Sequence, residues 1–312
     1  MGILKRHPAL FFGLGIMVLF LVFWFVRLPF LDTLELKYYD VMMKFRGQTE
    51  SPSNIVMVDI DDASIDKLGR WPWPRSLIAE GLGHINAGNP KVIGLNLLLT
   101  EPEMSEGLAE LETIEALITG ELGDNMGTSG DKLLQAVRDA RSKLDNDKKL
   151  TEALNAAGNV ILPFFFREAA VTRQGDEEPE DAIVAAAIQN IRREEDDIVP
   201  QGDEIVLPIE AFYNAAAGVG HFNLAYDKDG TARRERLVYA YNGLYFPSYT
   251  LRLATSYLNL ELADLSLDMG AVVRLGSLVD IPTTLYSELL VSFKGPGGSF
   301  KRYSFFDVIN DK

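Results

Sequence analysis

The sequence predicts an α/β domain around a mixed sheet with a βαβ core, preceded by one N-terminal transmembrane helix and a juxtamembrane helix. Three observations carry this. Ala9 to Val26 is an unbroken apolar run. Two short runs, Ile55–Ile60 and Lys91–Leu99, are rich in apolar and β-branched residues, as buried strands are, and flank a stretch with helical periodicity. Asn242-Gly243 joins two alternating segments, a strong hairpin signal.

The apolar run of 18 residues reaches roughly 27 Å at ~1.5 Å rise per residue, close to the ~30 Å hydrocarbon core. Lys5, Arg6 and His7 precede it, so the positive-inside rule places the N-terminus in the cytoplasm and everything after Arg27 outside. A cleavable signal peptide would need a small-x-small site, and the R-L-P-F-L-D that follows is bulky. Trp24 suits an interfacial anchor, and Ala9 with Gly13 permits close helix packing. The expected location is a bacterial inner (plasma) membrane, crossed once.

Pro29 interrupts the helix, and Asp32 with Glu35 resembles a capping box that restarts one. Leu34, Tyr38, Val41 and Phe45 then form an apolar stripe. It either packs on its own domain, the expectation here, or pairs with a second copy to make a homodimer through the transmembrane and juxtamembrane helices. Gly47 ends the helix, and a polar linker follows. The boundaries are residues 1–30 for the cytoplasmic stub and membrane helix, 31–47 for the juxtamembrane helix and 48–312 for the extracytoplasmic domain.

Within that domain, Arg75–Gly88 reads as a helix with Leu77, Ile78, Leu82 and Ile85 on one side. With the strands before and after it, it makes a βαβ unit with parallel strands and a right-handed crossover. Asn159–Phe166 and Gly218–Ala225 supply further strands, and Pro163 puts the former at an edge or a bulge. Pro247–Leu260 reads as a helix, and Leu289–Lys294 as a late strand before G-P-G-G. Residues 101–147 and 173–201 are acidic insertions whose charge runs read as solvated faces.

Composition narrows function. A net charge of −15 argues against nucleic acid, whose phosphates need a basic surface. It also disfavours a face lying flat on anionic lipid. With no Cys there are no disulfides and no thiolate metal sites. Ligands of open α/β sheets bind outside the carboxyl ends of the parallel strands. The first strand delivers Asp59, Asp61, Asp62 and Ser64 to that edge, and the second delivers Asn96, Thr100 and Glu101. The W-P-W-P hook holds Trp71 and Trp73 between prolines that fix φ, closed by Arg75. Two readings stand side by side. In one, Asp61, Ser64, Trp71, Trp73, Arg75 and Asn96 form a small-ligand pocket, with His221 and Arg234 approaching from later strands. In the other, the acids and Ser64 cap a turn, the tryptophans are core and Arg75 pairs with a carboxylate.

Catalytic readings fail on particular residues. Asp59-x-Asp61 is placed like an aspartyl phosphotransferase pair, but Ala63 stands where Thr or Val is needed and Asn96 replaces a carboxylate. A calcium loop over Asp227-Lys-Asp229-Gly230 would have Ala225 and Arg236 at its first and twelfth positions, so a tight turn is expected there. His7, His84 and His221 are too scattered for a zinc site. No catalytic residue, metal or cofactor is expected.

Several segments together resemble the type-two CHASE family, the cyclase/histidine-kinase-associated sensory extracellular domains. They are the Tyr39, Asp40, Arg46, Gly47 pattern of the juxtamembrane helix, V-D-I-D-D-A-S-I-D-K-L-G-R-W-P-W-P-R, V-I-G-L-N-L-L-L-T-E-P-E, L-T-E-A-L-N-A-A-G-N-V-I-L-P, G-H-F-N-L-A-Y-D-K-D-G-T-A-R-R and Y-S-F-F-D-V-I-N. The resemblance covers most of residues 31 to 310, and W-P-W-P-R is its most specific mark. It implies a sensory input domain outside the membrane, controlling a cytoplasmic adenylate or guanylate cyclase or a kinase and answering an unidentified small ligand. The alternative is a non-sensing scaffold or assembly subunit of a membrane complex. The family carries Asp where this chain has Asn96, which weakens any carboxylate-dependent contact there. It also continues past D-V-I-N with a further strand, transmembrane helices and an effector. This chain is therefore expected to be part of a longer receptor or to be completed by another chain.

Overall fold

The computed structural model describes residues 8–26, 29–103, 105–122, 127–167, 181–193 and 198–310. Lys5, Arg6 and His7 lie outside these, as do the side chains of Trp24 and Asp32 and much of the second acidic insertion. The chain divides into two units. One comprises Met1–Ile55, Tyr226–Thr231 and Ser292–Lys301, and the other holds the remainder.

In the first unit, α1 (Pro8–Val26) has 19 residues and no charged one. Its continuous run of described side chains covers only residues 12–22, and among the described residues no helix is long and apolar enough to cross a membrane. Helix α2 (Pro29–Arg46) follows. It stops at Gly47, whose φ of +71° suits a residue without Cβ. Arg46 donates to Ser292 Oγ at 3.4 Å and to the Phe293 carbonyl, and Thr49 N–H donates to Lys294 O at 2.8 Å. Asp227 to Thr231 forms the tight turn read from the sequence, closed by Gly230 N–H on Asp227 O at 2.8 Å, and Asp229 pairs with Lys37 at 3.1 Å. The stripe of α2 is not packed away: Leu34, Tyr38, Val41 and Phe45 are all exposed, Phe45 at 83%.

The second unit opens with β1 (Val56–Asp59), α3 (Asp62–Leu68), α4 (Arg75–Ala87) and β2 (Ile93–Gly94). Helices α5 (Glu106–Leu117), α6 (Gly127–Leu144) and α7 (Asn146–Ala157) lead to β3 (Val160–Arg167). Then come α8 (Asp181–Ala185), β4 (Asn190–Arg192), β5 (Glu204–Val206), α9 (Glu210–Ala215) and β6 (Gly218–His221). Next are β7 (Arg234–Arg236), β8 (Val238–Tyr241), β9 (Leu244–Pro247) and α10 (Tyr249–Tyr257). The last elements are β10 (Leu265–Asp268), β11 (Val272–Leu275), β12 (Val279–Pro282), β13 (Glu288–Leu290), β14 (Lys301–Ser304) and α11 (Phe305–Ile309).

The fold is mixed α/β with several small sheets. Strand β3 is parallel to β2 on one side and to β6 on the other, and its end runs antiparallel to β5. A second sheet has the order β12-β11-β10-β4. The βαβ unit read over residues 55–99 is corrected: β1 pairs with β14, not β2, and the parallel crossover runs from β2 through α5–α7 to β3. Periodicity marks a strand but not its partner; here Arg302 holds Asp59 at 2.9 Å beside the pairing. Pro163 is corrected as well. It lies in the central strand, tolerated because its missing N–H faces the β2 side, where the paired strand has already ended at Gly94. Asn242 and Gly243, at φ +46° and +76°, make the predicted turn between β8 and β9.

Two apolar clusters hold this unit together. The larger joins Trp73, Leu150, Leu154, Phe164, Phe212, Phe246 and Phe305. Leu150 and Leu154 are fully buried one turn apart on α7, which packs on α4, and each contributes roughly 1.5–3 kcal/mol. The smaller cluster forms under α10 from Val238, Leu251, Leu265, Leu267, Val273 and Leu275.

Candidate functional site

Gly69, at φ +99°, ends α3 and turns the chain into the hook. The Trp73 indole N–H donates to the Gly69 carbonyl at 2.7 Å, and its ring stacks on Phe305 with centroids 5.2 Å apart. At 6% exposure Trp73 belongs to the core. Trp71 meets it edge-on at 5.4 Å and 73°, and stays 37% exposed. One tryptophan anchors the hook and the other is presented by it.

Arg75 opens α4, and its groups are taken by the first acidic insertion. Its guanidinium pairs with Asp147 at 2.5 Å, donates to the Glu101 carbonyl and lies over the Phe212 ring. Its backbone N–H donates to Glu103 Oε2 at 2.8 Å. The pairing expected of Arg75 is therefore present, with a carboxylate from a segment that reads as a solvated face.

Beyond Gly94 the chain leaves the sheet. A Cβ at Gly94 would come within 2.7 Å of the Tyr249 hydroxyl, so only glycine lets β2 approach α10 this closely. Residues 95–100 continue to Leu99, whose carbonyl accepts from Ile209 N–H at 2.9 Å. Asn96, Leu97, Leu98 and Leu99 then face Trp71, Pro72, Trp73, Arg75 and Ile78, with Phe222 from the end of β6. Together they line a cleft of about 480 Å³, within the usual range for small-molecule sites.

The structure thus brings together Trp71, Trp73, Arg75 and Asn96 and leaves four sequence-predicted residues out of the cleft lining. Asp61 caps α3, accepting from Ser64 N–H at 2.9 Å and from the Ser64 hydroxyl at 2.6 Å. It also accepts from Ser304 Oγ at 2.9 Å, while Phe306 N–H donates to Ser64 Oγ at 3.0 Å. Asp61 and Ser64 therefore tie α3 to the β14–α11 corner. The Ser64 and Ser304 hydrogen bonds hold the Asp61 carboxyl below its ordinary value. His221 is fully buried among Phe164, Phe166 and Tyr239, with neither ring nitrogen hydrogen-bonded among the described residues. Burial, and then the Arg236 charge, push it down to about 3. Arg234 lies in β7, opposite Leu290.

Phe222, Pro72, Ile78 and Leu97–Leu99 were not foreseen as lining. The signal for Phe222 was available: side chains alternate along a strand, so a buried His221 turns Phe222 outward.

A rigid aromatic hook and a cleft thus lie together on one α/β unit. The model of the CHASE2 domain family matches residues 16–312. The chain belongs to the CHASE2 family, a family of sensory domains of the extracellular type. Searches of curated proteins and of solved structures return no significant match.

Proposed function

We propose that this chain is the extracytoplasmic sensory input domain of a membrane receptor that regulates a cytoplasmic adenylate or guanylate cyclase or a kinase, and that it senses a small ligand in the Trp71–Asn96 cleft. The observation that carries the reading is a half-exposed tryptophan held over a 480 Å³ cleft inside a CHASE2 domain. Supporting the membrane part are the apolar residues 9–26 and the basic residues before them, which in this reading serve as an N-in anchor. The exposed stripe of α2 supports pairing of two copies along α1 and α2, which gives a ligand-dependent change a route to the membrane. In this reading the chain itself performs no catalysis.

The test contrasts the two tryptophans in the intact receptor, with cyclic-nucleotide or phosphoryl output as the readout. Trp71→Ala is expected to abolish ligand-dependent output while leaving the thermal melt near that of the parent. Trp73→Ala is expected to lose roughly 3–5 kcal/mol of stability, as deletion of a large buried aromatic does. Unchanged output in a folded Trp71→Ala receptor would refute the cleft as the sensing site.

A further inference from the structure

The groups already engaged at the rim of the cleft restrict what it takes. Two features there would ordinarily invite an anion, a guanidinium and the N-terminal turn of a 13-residue helix. Both are satisfied internally. Asp147 holds the Arg75 guanidinium at 2.5 Å, and Glu103 accepts from the Arg75 backbone N–H at 2.8 Å. These two carboxylates are themselves fixed. Asn146 donates to Glu103 Oε1 at 2.8 Å, and Glu103 N–H donates to Asp147 at 3.0 Å. Glu103 and Asp147 do not line the cleft themselves, but as two carboxylates bonded to its Arg75 they outweigh that residue's single charge, which disfavours an anionic ligand there.

The groups left for a ligand are of another kind. The Asn96 side-chain amide and the Trp71 indole N–H hold no hydrogen bond among the described residues. The remaining wall is apolar: Leu97, Leu98, Leu99 and Phe222. An amide offers a donor and an acceptor side by side, and an exposed indole offers a flat face and one donor. We infer that the cleft binds an uncharged, planar ligand carrying an amide-like hydrogen-bonding edge, and that the Glu103–Asp147 pair makes it reject the matching carboxylate. The inference rests on the sensory reading above and adds its ligand class.

The probes are nicotinamide and nicotinate, which share a ring and differ in amide against carboxylate. The full chain, carried in lipid nanodiscs, is titrated while the Trp71 indole N–H resonance is followed, its assignment made from Trp71→Phe. Nicotinamide is expected to shift this resonance saturably, and nicotinate to bind about tenfold more weakly or worse, the difference one mismatched polar group makes. Asn96→Ala should weaken nicotinamide by a similar factor with an unchanged melt. Asp147→Asn frees the guanidinium and should narrow or reverse the preference, which a purely structural role for Asp147 would not do. The inference is overturned if nicotinamide gives no saturable shift, if nicotinate binds equally well, or if Asn96→Ala changes nothing. Those results would leave the sensory reading standing provided that Trp71→Ala still silences the receptor; loss of that effect would sink the reading instead.

Discussion

Asp61 shows how one residue type can serve chemistry in one fold and architecture in another. The acidic turn after β1 stands where an α/β sheet presents ligand contacts, yet its carboxylate is spent on Ser64 and Ser304. That use was invisible because Ser304 lies 243 positions away in the chain. His221 was misjudged for the opposite reason. A histidine near a strand end suggests a site, but a strand buried on both faces swallows it. The two residues predict separate acid-sensitive steps. For His221 the unfolded chain gains a proton below its ordinary 6.5 while the folded chain stays neutral down to about 3, so stability falls as pH drops through that window. The slope is about 1.4 kcal/mol per pH unit. For Asp61 the sign runs through its anion: the folded carboxyl is the stronger acid, so its contribution is present above the ordinary 3.8 and is lost as pH falls through the lower folded value. Thermal melts across pH should show His221→Phe flattening the first decline and Asp61→Asn flattening the second. Parallel curves for parent and His221→Phe between about pH 6 and 4 would mean that the buried imidazole does not control the upper step.

Elements were legible where their signals are local. Helix α4, the β8–β9 turn and strands β3 and β6 follow from periodicity, an Asn-Gly pair and β-branched runs, each read within a dozen residues. Pairing was not legible. Strand β1 finds its partner near the end of the chain, and β2 is only two residues long, with Tyr249 closely packed on Gly94. The cleft was half legible for the same reason. The hook and Asn96 lie in conspicuous motifs, whereas Glu103 and Asp147 come from an insertion whose acids looked like solvated surface. Helix α2 carries the prediction at this scale. Its stripe has four large apolar side chains in water, where an amphipathic helix buries such a face. Pairing with a second copy would cover them, each exchanging roughly 1.5–3 kcal/mol worth of exposed surface for packing at best. Phe45→Asp should therefore shift the full chain in nanodiscs or detergent from dimer to monomer, read by light scattering or cross-linking. A variant that stays as dimeric as the parent would put the contact elsewhere.

At the scale of the molecule, orientation decides which compartment the cleft samples. A ligand outside the cytoplasm can be sensed only if residues after α1 lie outside, as the proposed topology has them. Residues 9–26 match the hydrocarbon thickness without a single charge, which argues for a span in either direction. Its direction is what the basic residues on either side must set, Lys5, Arg6 and His7 before the run and Arg27, Lys37, Lys44 and Arg46 after it. Fusions at Gly47 and Lys312 test the arrangement directly. Alkaline phosphatase, active only after export, should work at both sites, and a cytoplasmic fluorescent reporter should be dark at both. Activity of the fluorescent reporter at either position would reverse the topology. The cleft would then face the same compartment as the effector it is proposed to control, and transmission across the membrane would have no part in its function.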